Sequence, residues 1–225
     1  MKIDFHTHSF YSNDGISSPE DLIKSALKKG LDGIALTDHN TTDGWKDAKK
    51  AAKKLNAVLI LGEEIKIKEK GRTTGEILGY FLKNEINPKG KTKEDVIEEI
   101  KKQGGLAIIA HPYHWRKPFL ELEKYKCFAD GVEAFNSRSQ SKKGNRKSME
   151  FAKKSNLAMT AGSDAHSKFE IGRAYVKAEA NSIEEFKKLI ISGKSKIVGK
   201  QSFFFLVQPF AALGKILHLF WEPKK

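Results

Sequence analysis

Short apolar runs alternate with amphipathic helical segments along most of the 225 residues. This alternation predicts crossover units and a mainly parallel sheet. The strand-like runs are 2–5, 33–37, 57–61, 76–81, 106–110, 131–135 and 157–161. Seven such strands in succession favour a closed or nearly closed α/β barrel, in which the chemistry lies at the carboxyl ends of the strands.

Helix boundaries follow from capping residues. Ser18 followed by Pro19 predicts a helix start, because Ser caps free N–H groups and Pro fits the first turn. The predicted helices are 18–29, 42–55, 92–103, 119–128, 140–155 and 182–191. Residues 65–74 are predicted to extend the third strand or to form a hairpin turning near Lys70-Gly71, and 171–176 and 197–198 are predicted as further strands.

The composition, 39% hydrophobic and 31% charged, is that of a soluble globular protein. The single cysteine, Cys127, excludes an internal disulfide and a cysteine-based zinc site, and we expect it in the core. The N-terminus lacks a signal segment, which fits a cytoplasmic protein. A net charge of +13 favours anionic partners: phosphorylated metabolites, nucleic acid or an acidic membrane. The alternative, favoured for most of the lysines, is a solvated lysine-rich surface.

His6 and His8 lie two residues apart on the first predicted strand, so their side chains point to the same face. Alone, they fit a metal-binding pair and a frayed N-terminus with surface histidines equally well. Later strand ends carry further ligand-type side chains: Asp38, His39, Glu64, His111, Asn136, Asp164 and His166. Five of the seven histidines lie at or just beyond a strand's carboxyl end, which predicts a metal site.

The ordered set of motifs resembles that of the PHP (polymerase and histidinol phosphatase) family. The motifs are Asp4-x-His6-x-His8-Ser9, Asp14-Gly15, Thr37-Asp38-His39, Gly62-x-Glu64, Ala110-His111-Pro112 and Gly162-Ser163-Asp164-Ala165-His166. The resemblance runs from about residue 1 to residue 200. It implies a distorted seven-stranded, TIM-like (β/α)7 barrel, a cluster of two or three divalent ions and phosphoester hydrolysis.

The same resemblance implies which side chains hold the metals. His6, His8, Glu64 and Asp164 would hold one ion, Asp14, His39 and His166 a second, and Glu64 would bridge to a third shared with His111. Imidazoles suit zinc, iron and manganese, while carboxylates bridge paired ions. Family members usually carry a histidine where this chain has Glu76. Glu76 either serves as a ligand with an altered metal preference or turns to solvent and leaves the third site weak or empty.

Three further acidic residues, two of them within these motifs, are without an assigned metal. Glu133 is a candidate ligand if its side chain faces into the barrel, where an unpaired carboxylate would be costly. Asp38 either fixes the ring of His39 or forms a turn, and Asp4 poses the same choice.

The expected mechanism is in-line attack on phosphorus by a metal-bridging hydroxide, without a protein nucleophile. The leaving group would be protonated by a metal-bound water or by His114, which is otherwise a loop residue without a role. Arg116 and Arg138 lie just beyond two strands, where a guanidinium grips phosphate oxygens. The alternative for each is an exposed loop arginine, and it fits Arg116 better, because Asn136-Ser137-Arg138 resembles a recurrent family loop.

We expect residues 1–200 to form the PHP domain with its C-terminal extension, and 201–225 to form an apolar and basic tail. The run 203–221 is nearly long enough to span a membrane, but Pro209 and Lys215 weaken that reading. The alternatives are an amphipathic helix making peripheral membrane contact through 202–221, and a helix packed on the barrel or at a dimer interface.

The favoured function is a metal-dependent phosphoesterase acting on a small phosphorylated metabolite or nucleotide, in the cytoplasm and either free or membrane-peripheral. The alternative is a nuclease or nucleic-acid-processing phosphodiesterase of the same family, suggested by the charge of +13. A non-catalytic domain that has lost its metals is disfavoured by the near-complete set of ligands.

Overall fold

The computed structural model describes residues 1–139, 142–202 and 204–220, which contain nine strands and seven helices. The strands are β1 (Lys2–Thr7), β2 (Gly33–Leu36), β3 (Val58–Glu69), β4 (Arg72–Tyr80), β5 (Leu106–Ile109), β6 (Gly131–Asn136), β7 (Ala158–Gly162), β8 (Ala174–Lys177) and β9 (Lys196–Gly199). The helices are α1 (Pro19–Lys28), α2 (Trp45–Leu55), α3 (Lys93–Lys102), α4 (Leu122–Tyr125), α5 (Lys142–Lys154), α6 (Ile183–Ile191) and α7 (Phe204–Phe220).

All nine strands belong to one sheet in the order β7-β6-β5-β4-β3-β2-β1-β8-β9. The segment after β7 meets β1, because the Asp164 N–H donates to the His6 carbonyl and the His8 N–H to the Ala165 carbonyl, both at 2.8 Å. Gly162 permits this approach, since a Cβ there would lie 2.2 Å from the Cβ of His6. The sheet is therefore a nearly closed barrel, and the predicted TIM-like α/β class is confirmed.

The strand pairing differs from the predicted mainly parallel barrel in two places. The hairpin predicted over 65–74 is confirmed, since β3 continues the third strand to Glu69, but it makes β3 and β4 antiparallel neighbours where the barrel was expected to be mainly parallel. Lys70 and Gly71 make its turn, with φ of 48° and 77°. The seven predicted barrel strands correspond to β1–β7, and the further strands predicted at 171–176 and 197–198 correspond to β8 and β9. These two join the same sheet in antiparallel pairs beside β1 and raise its count to nine.

Helix starts follow the predicted caps where a side chain supplies one. The Ser18 hydroxyl accepts from the Asp21 N–H at 3.1 Å, and Thr92 and Asp95 form a reciprocal capping box. The helix predicted for 42–55 begins only at Trp45, after a Gly44 that offers no side-chain cap. Of the helix predicted for 140–155, residues 140 and 141 lie outside the described residues.

The prediction of a helix over 119–128 was wrong in length, because α4 has only four residues. The Phe119 N–H donates to the Pro112 carbonyl at 3.0 Å and the Leu120 N–H to the Thr74 carbonyl at 2.9 Å, so this backbone pairs outside the helix. Cys127 follows α4 and is exposed, which corrects its expected place in the core.

Aromatic side chains fill the amino end of the barrel. The Phe5 ring lies 5.0 Å from the Tyr80 ring and 6.0 Å from that of Phe186, so α6 closes this end. Side chains alternate along each strand, so Glu64 shares the inward face of Ile60 on β3. On β4, Glu76 likewise shares a face with Leu78 and Tyr80. The apolar core thus ends where the acidic residues begin.

Helix α7 corresponds to the apolar tail, of which Phe203 and residues 221–225 lie outside the described residues. It packs against the loop after β1, because a Cβ added to Gly214 would meet the Asp14 carbonyl oxygen at 2.3 Å. In the described part of the chain, no helix combines the length and the apolar character needed to cross a bilayer.

Candidate metal centre

The predicted ligands converge at the carboxyl ends of the barrel strands. β1 carries His6 and leads to His8 and Asp14; β2 leads to His39; β3 and β4 carry Glu64 and Glu76; β5 leads to His111, and β7 to Asp164 and His166. All nine side chains fall into one cluster because parallel strand ends and an antiparallel hairpin meet at the same rim.

Glu64 lies at the centre of this cluster. Its Oε1 is 3.4 Å from His6 Nε2 and 3.0 Å from His111 Nε2. Its Oε2 is 3.6 Å from His8 Nε2 and 2.6 Å from His39 Nδ1. One carboxylate thus faces four imidazoles, an arrangement in which its two oxygens can bridge neighbouring cations.

Three groups of ligand atoms lie close enough to hold an ion, with their atoms within 4.8 Å of one another: His6, His8 and Asp164; His8, His39 and His166; and Glu64, Glu76 and His111. Asp14 joins the second group, since its oxygens lie 3.6 Å from His39 Nε2 and 3.4 Å from His166 Nε2. These groups are similar to the ligand sets implied by the family resemblance, except that His8 belongs to both the first and the second group.

Glu76 faces the cluster and not solvent. It is buried, and its Oε2 lies 3.3 Å from His111 Nε2. Its other oxygen lies 3.2 Å from Lys117 Nζ and 4.0 Å from Lys66 Nζ. The structure therefore favours the first alternative for Glu76, in which it serves as a ligand. The ammonium groups of Lys117 and Lys66 lie beside the same carboxylate.

The charge states at the centre suit a divalent cation. Burial, together with His39 and His166, holds the pKa of His8 well below its ordinary value, so this ring is neutral and one of its nitrogens is available to a cation. Burial acts to raise the pKa of Glu64, but His39 and His6 outweigh it and hold that pKa well below the ordinary value.

His111 has the opposite shift. Burial acts to lower its pKa, but the carboxylates of Glu64 and Glu76 raise it to about 9. In the metal-free chain this imidazole therefore holds a proton that a bound cation would displace.

The donor set fits a transition metal or zinc, because imidazole nitrogens and carboxylate oxygens are the ligands that these ions prefer. The Nε2 atoms of His6 and His8 and Oδ1 of Asp14 are buried without a hydrogen-bond partner in the described residues. Buried polar atoms normally have partners, so orphaned ligand atoms that converge on one another indicate a site for a cation.

Glu133, a candidate ligand from the sequence, lies against His6 and His111 and belongs to none of the three ligand groups. Its Oε1 lies 2.8 Å from His6 Nδ1, and its Oε2 accepts the His111 N–H at 2.9 Å. His111 has a φ of 21°, a strained value for a residue with a side chain, and this bond helps to hold it. Asn136 donates to both Glu133 and Asp164. Glu133 thus orients two candidate ligands.

Sequence reasoning missed Ser12. Its hydroxyl lies 3.3 Å from His8 Nδ1 and accepts the His39 N–H at 2.8 Å, so it positions two imidazoles. Nothing in a polar loop marks one serine above the others. Asp38 accepts from the Ser9 N–H and hydroxyl, at 2.6 and 2.7 Å, so it fixes the loop and not the His39 ring.

Asp4 joins separate parts of the barrel. Its carboxylate accepts from the Ser163 N–H at 2.9 Å and the Gly172 N–H at 2.8 Å. Of the two roles considered for Asp4, the structure therefore favours fixing the backbone around the ligands over orienting a ring.

The two arginines considered for phosphate binding differ in environment. Arg138 is buried, and its Nε lies 3.6 Å from Glu170, whose Oε2 accepts the His166 N–H at 3.1 Å. It therefore acts on the cluster through Glu170, and its predicted contact with phosphate stays a prediction. Arg116 is exposed and lies 4.3 Å above the Trp115 ring.

A cavity of about 80 Å³ opens above the cluster. It is lined by Asp14, His39, Glu64, Glu76, His111, His114, Lys117, Asp164 and His166. His114 accepts the Arg116 and Lys117 N–H groups on Nδ1, and burial, with His111 nearby, lowers its pKa to about 4. Its ring is therefore neutral near pH 7, which disfavours the proposed role as a proton donor.

Imidazoles and carboxylates gathered at the carboxyl ends of barrel strands are the arrangement expected of a metal-dependent barrel enzyme. The model of the PHP domain family matches residues 4–192. The chain therefore belongs to the PHP domain family, whose members include metal-dependent phosphoester hydrolases, as the motifs predicted.

Two relatives and one solved structure illustrate this membership. The uncharacterized protein MJ1587 of Methanocaldococcus jannaschii is 40% identical over 147 residues, covering 61% of this chain and 82% of the relative. A 5'-3' exoribonuclease of Haemophilus influenzae is 42% identical over 71 residues, covering 32% of this chain and 26% of that enzyme.

The solved structure is a two-domain protein from Bacteroides vulgatus described as containing a predicted PHP-like metal-dependent phosphoesterase. It superposes with a TM-score of 0.73 at 23% identity, covering 88% of this chain. The chain spans 64% of that protein, less than two thirds of its length. The likeness establishes the shared fold.

Proposed function

We propose that this chain hydrolyses the phosphoester bond of a small phosphorylated metabolite or nucleotide, using two or three divalent ions. The observation that carries the proposal is Glu64, whose two oxygens face four imidazoles at the floor of a small cavity. Divalent ions bound in such a cluster supply an activated water and neutralise charge on phosphoryl oxygens.

The chain's own residues position those ions. The proposed ligands are the three groups of neighbouring side chains described above, and Glu64 lies between these groups. Glu133 holds His6 and His111 in place, Ser12 holds His8 and His39, and the Arg138–Glu170 pair holds the backbone of His166. Metal-ligating histidines depend on such partners for orientation and basicity.

Lys117 binds the phosphoryl group directly in this proposal. It lines the cavity, and its Nζ, 3.2 Å from Glu76, is held at the cavity mouth by that carboxylate. Charge-assisted hydrogen bonds of this kind are the strong ones at phosphate sites. We therefore assign Lys117 the phosphate-gripping role that the sequence suggested for an arginine.

Cavity size limits what enters the site to a group about as large as a phosphoryl group. Pockets that enclose a whole drug-sized ligand measure roughly 300–1,000 Å³. The volume of about 80 Å³ above the cluster is far smaller. A phosphoryl group enters it, and the remainder of the substrate stays at the rim.

A nuclease activity is the second candidate, favoured by the local similarity to the exoribonuclease and the net charge of +13. A terminal phosphodiester could reach the cavity while the strand lies outside. Steep salt dependence of oligonucleotide binding would favour this candidate, because displaced counterions dominate such binding.

The test begins with metal analysis of the purified chain and a screen of phosphomonoesters, dinucleotides and short RNA. We expect His6→Ala to abolish metal-dependent hydrolysis while the fold persists, with His218→Ala on α7 as the matched control. Full activity of His6→Ala towards any phosphoester would refute the mechanism.

A second variant separates the role of Lys117 from that of the metals. Removing a hydrogen bond to a charged group costs about 1.5–3 kcal/mol, so Lys117→Gln should lower kcat/KM roughly 10- to 100-fold with metal content unchanged. Lys126→Gln, on an exposed lysine nearby, is the control. Equal kcat/KM for both variants would remove Lys117 from the phosphate site.

A further inference from the structure

The outer face of α7 is apolar and exposed. Leu213, Ile216, Leu217 and Leu219 are 45%, 53%, 46% and 80% exposed. Residues three and four apart share a helix face, so the first three of these form one continuous stripe. A contiguous exposed apolar patch on a folded protein marks an interaction surface.

The inner face of the same helix is already used. Gly214 packs on the Asp14 backbone closely enough that a Cβ would clash. The Phe210 ring stacks on Phe169, with centroids 5.9 Å apart. The helix is therefore held against the rim of the metal centre. Leu213 and Leu217, three and seven residues after Phe210, flank this packing face, while Ile216 and Leu219 point further from it and are more than half exposed.

Lysines lie beside Phe169, one of the two residues on which α7 packs. A groove of about 470 Å³ is lined by Asp21, Lys24, Ser25, Lys28, Lys29, Lys168 and Phe169. We call it the lysine groove. The lining holds four lysines and one carboxylate. Lys24 pairs with Glu20, Lys168 pairs with Asp21, and Lys29 Nζ donates to the Phe169 and Ile171 carbonyls at 2.9 and 2.6 Å, so the groove keeps a net positive charge. Phe169 belongs to the groove and also touches α7, so the apolar stripe and the lysines are neighbours.

We propose that α7 and the lysine groove dock this protein on an anionic phospholipid surface. Apolar side chains beside lysines are the features that hold a helix in the plane of a membrane interface. Anionic headgroups attract nearby lysines, and the net charge of +13 adds to that attraction.

Charge also argues against a second copy of the chain as the occupant. A symmetric dimer through the α7 stripe would bring two lysine grooves and two chains of charge +13 together. Like charges across an interface disfavour association. An anionic bilayer, in contrast, neutralises the same lysines.

Flotation of the metal-loaded full chain tests this proposal. We expect it to float with vesicles of phosphatidylcholine and phosphatidylglycerol at low salt, and neither with phosphatidylcholine alone nor at high salt. The double variant Ile216→Glu with Leu217→Glu should abolish flotation. Ile191→Glu is the matched control, because Ile191 is 52% exposed on α6. It should bind like the wild type.

The lysine contribution is tested separately. Each lysine near an anionic surface contributes roughly fivefold, so changing Lys24, Lys28 and Lys168 together to Gln should weaken vesicle binding roughly 100-fold. The same change at three exposed lysines elsewhere, Lys83, Lys102 and Lys126, controls for net charge and should weaken binding far less.

Three results would overturn the proposal. The first is failure of the wild type to float with anionic vesicles. The second is flotation that the Ile216 and Leu217 changes leave intact. The third is a dimer, seen by analytical ultracentrifugation, that those changes convert to monomer.

Discussion

Glu63 offers the sharpest test of how burial acts in this barrel. It neighbours Glu64 on β3 but points to the other face, where its side chain is fully buried. Its Oε2 accepts the Ile86 N–H at 3.0 Å, while Oε1 lacks a hydrogen-bond partner in the described residues. Burial raises the pKa of this carboxyl from 4.5 to about 8.

The sign of the effect on stability follows from that direction. The folded state holds the proton more tightly than the unfolded chain, so this group favours folding most below the unfolded pKa of 4.5. Stability then falls by about 1.4 kcal/mol per pH unit until the pH passes the folded pKa of about 8. Over that interval the predicted loss is about 5 kcal/mol, a third or more of a typical free energy of unfolding.

Glu63→Gln removes the titration while its amide oxygen still accepts the Ile86 N–H. We expect the variant and the wild type to have similar free energies of unfolding near pH 5, because the wild-type carboxyl is then protonated in the folded state. Near pH 8 the variant should be more stable by several kcal/mol. Urea unfolding across this range, in a chelator so that metal binding does not contribute, measures the difference.

Glu98→Gln is the matched control, because it removes the same charge from an exposed position on α3. Its free energy of unfolding should track that of the wild type across the pH range. The reasoning is refuted if the stability difference between Glu63→Gln and the wild type does not grow with pH.

Three further changes test the metal centre and the close contact between Gly162 and His6 where the barrel closes. Glu133→Gln should weaken metal affinity roughly 10- to 100-fold in chelator competition, because it disturbs the orientation of two imidazoles; unchanged affinity would contradict that role. Glu76→His should raise the metal content per chain, measured by elemental analysis, because imidazole is a better zinc ligand than a lysine-paired carboxylate; lower content would show that Glu76 is the preferred ligand. Gly162→Ala should lower the free energy of unfolding by about 1–3 kcal/mol through its clash with His6; wild-type stability in urea would contradict the close seam.

Sequence reasoning anticipated features that depend on neighbouring residues. The Ser18 and Thr92 caps lie where local hydrogen bonds put them, and strand periodicity placed His6, His8 and Glu64 near strand ends. Parallel strands that alternate with helices present their carboxyl ends at one rim. The family motifs, spaced in that order, therefore predicted both the fold class and a metal cluster.

Long-range contacts lay beyond the sequence. The extent of α4 was wrong because the Leu120 N–H pairs with Thr74, far away in the chain. The role of Ser12 became recognisable only when folding brought its hydroxyl against an imidazole. Glu133 was a candidate ligand from the sequence, but only the fold shows that it contacts His6 and the His111 backbone. One serine among several, or one strand glutamate, carries no local mark of such a contact.

The sequence by itself determined the elements, the barrel class and the identity of the ligand-type side chains, since these depend on residue type and short-range periodicity. The tertiary structure decided which face each acidic residue takes. It points the Glu76 side chain towards the metal centre, beside His111 and Lys117. It also packs α7 against the Asp14 loop and leaves apolar side chains of that helix exposed. Those outcomes depend on the antiparallel β3–β4 hairpin and on backbone approach across the barrel rim, which no single stretch of sequence encodes.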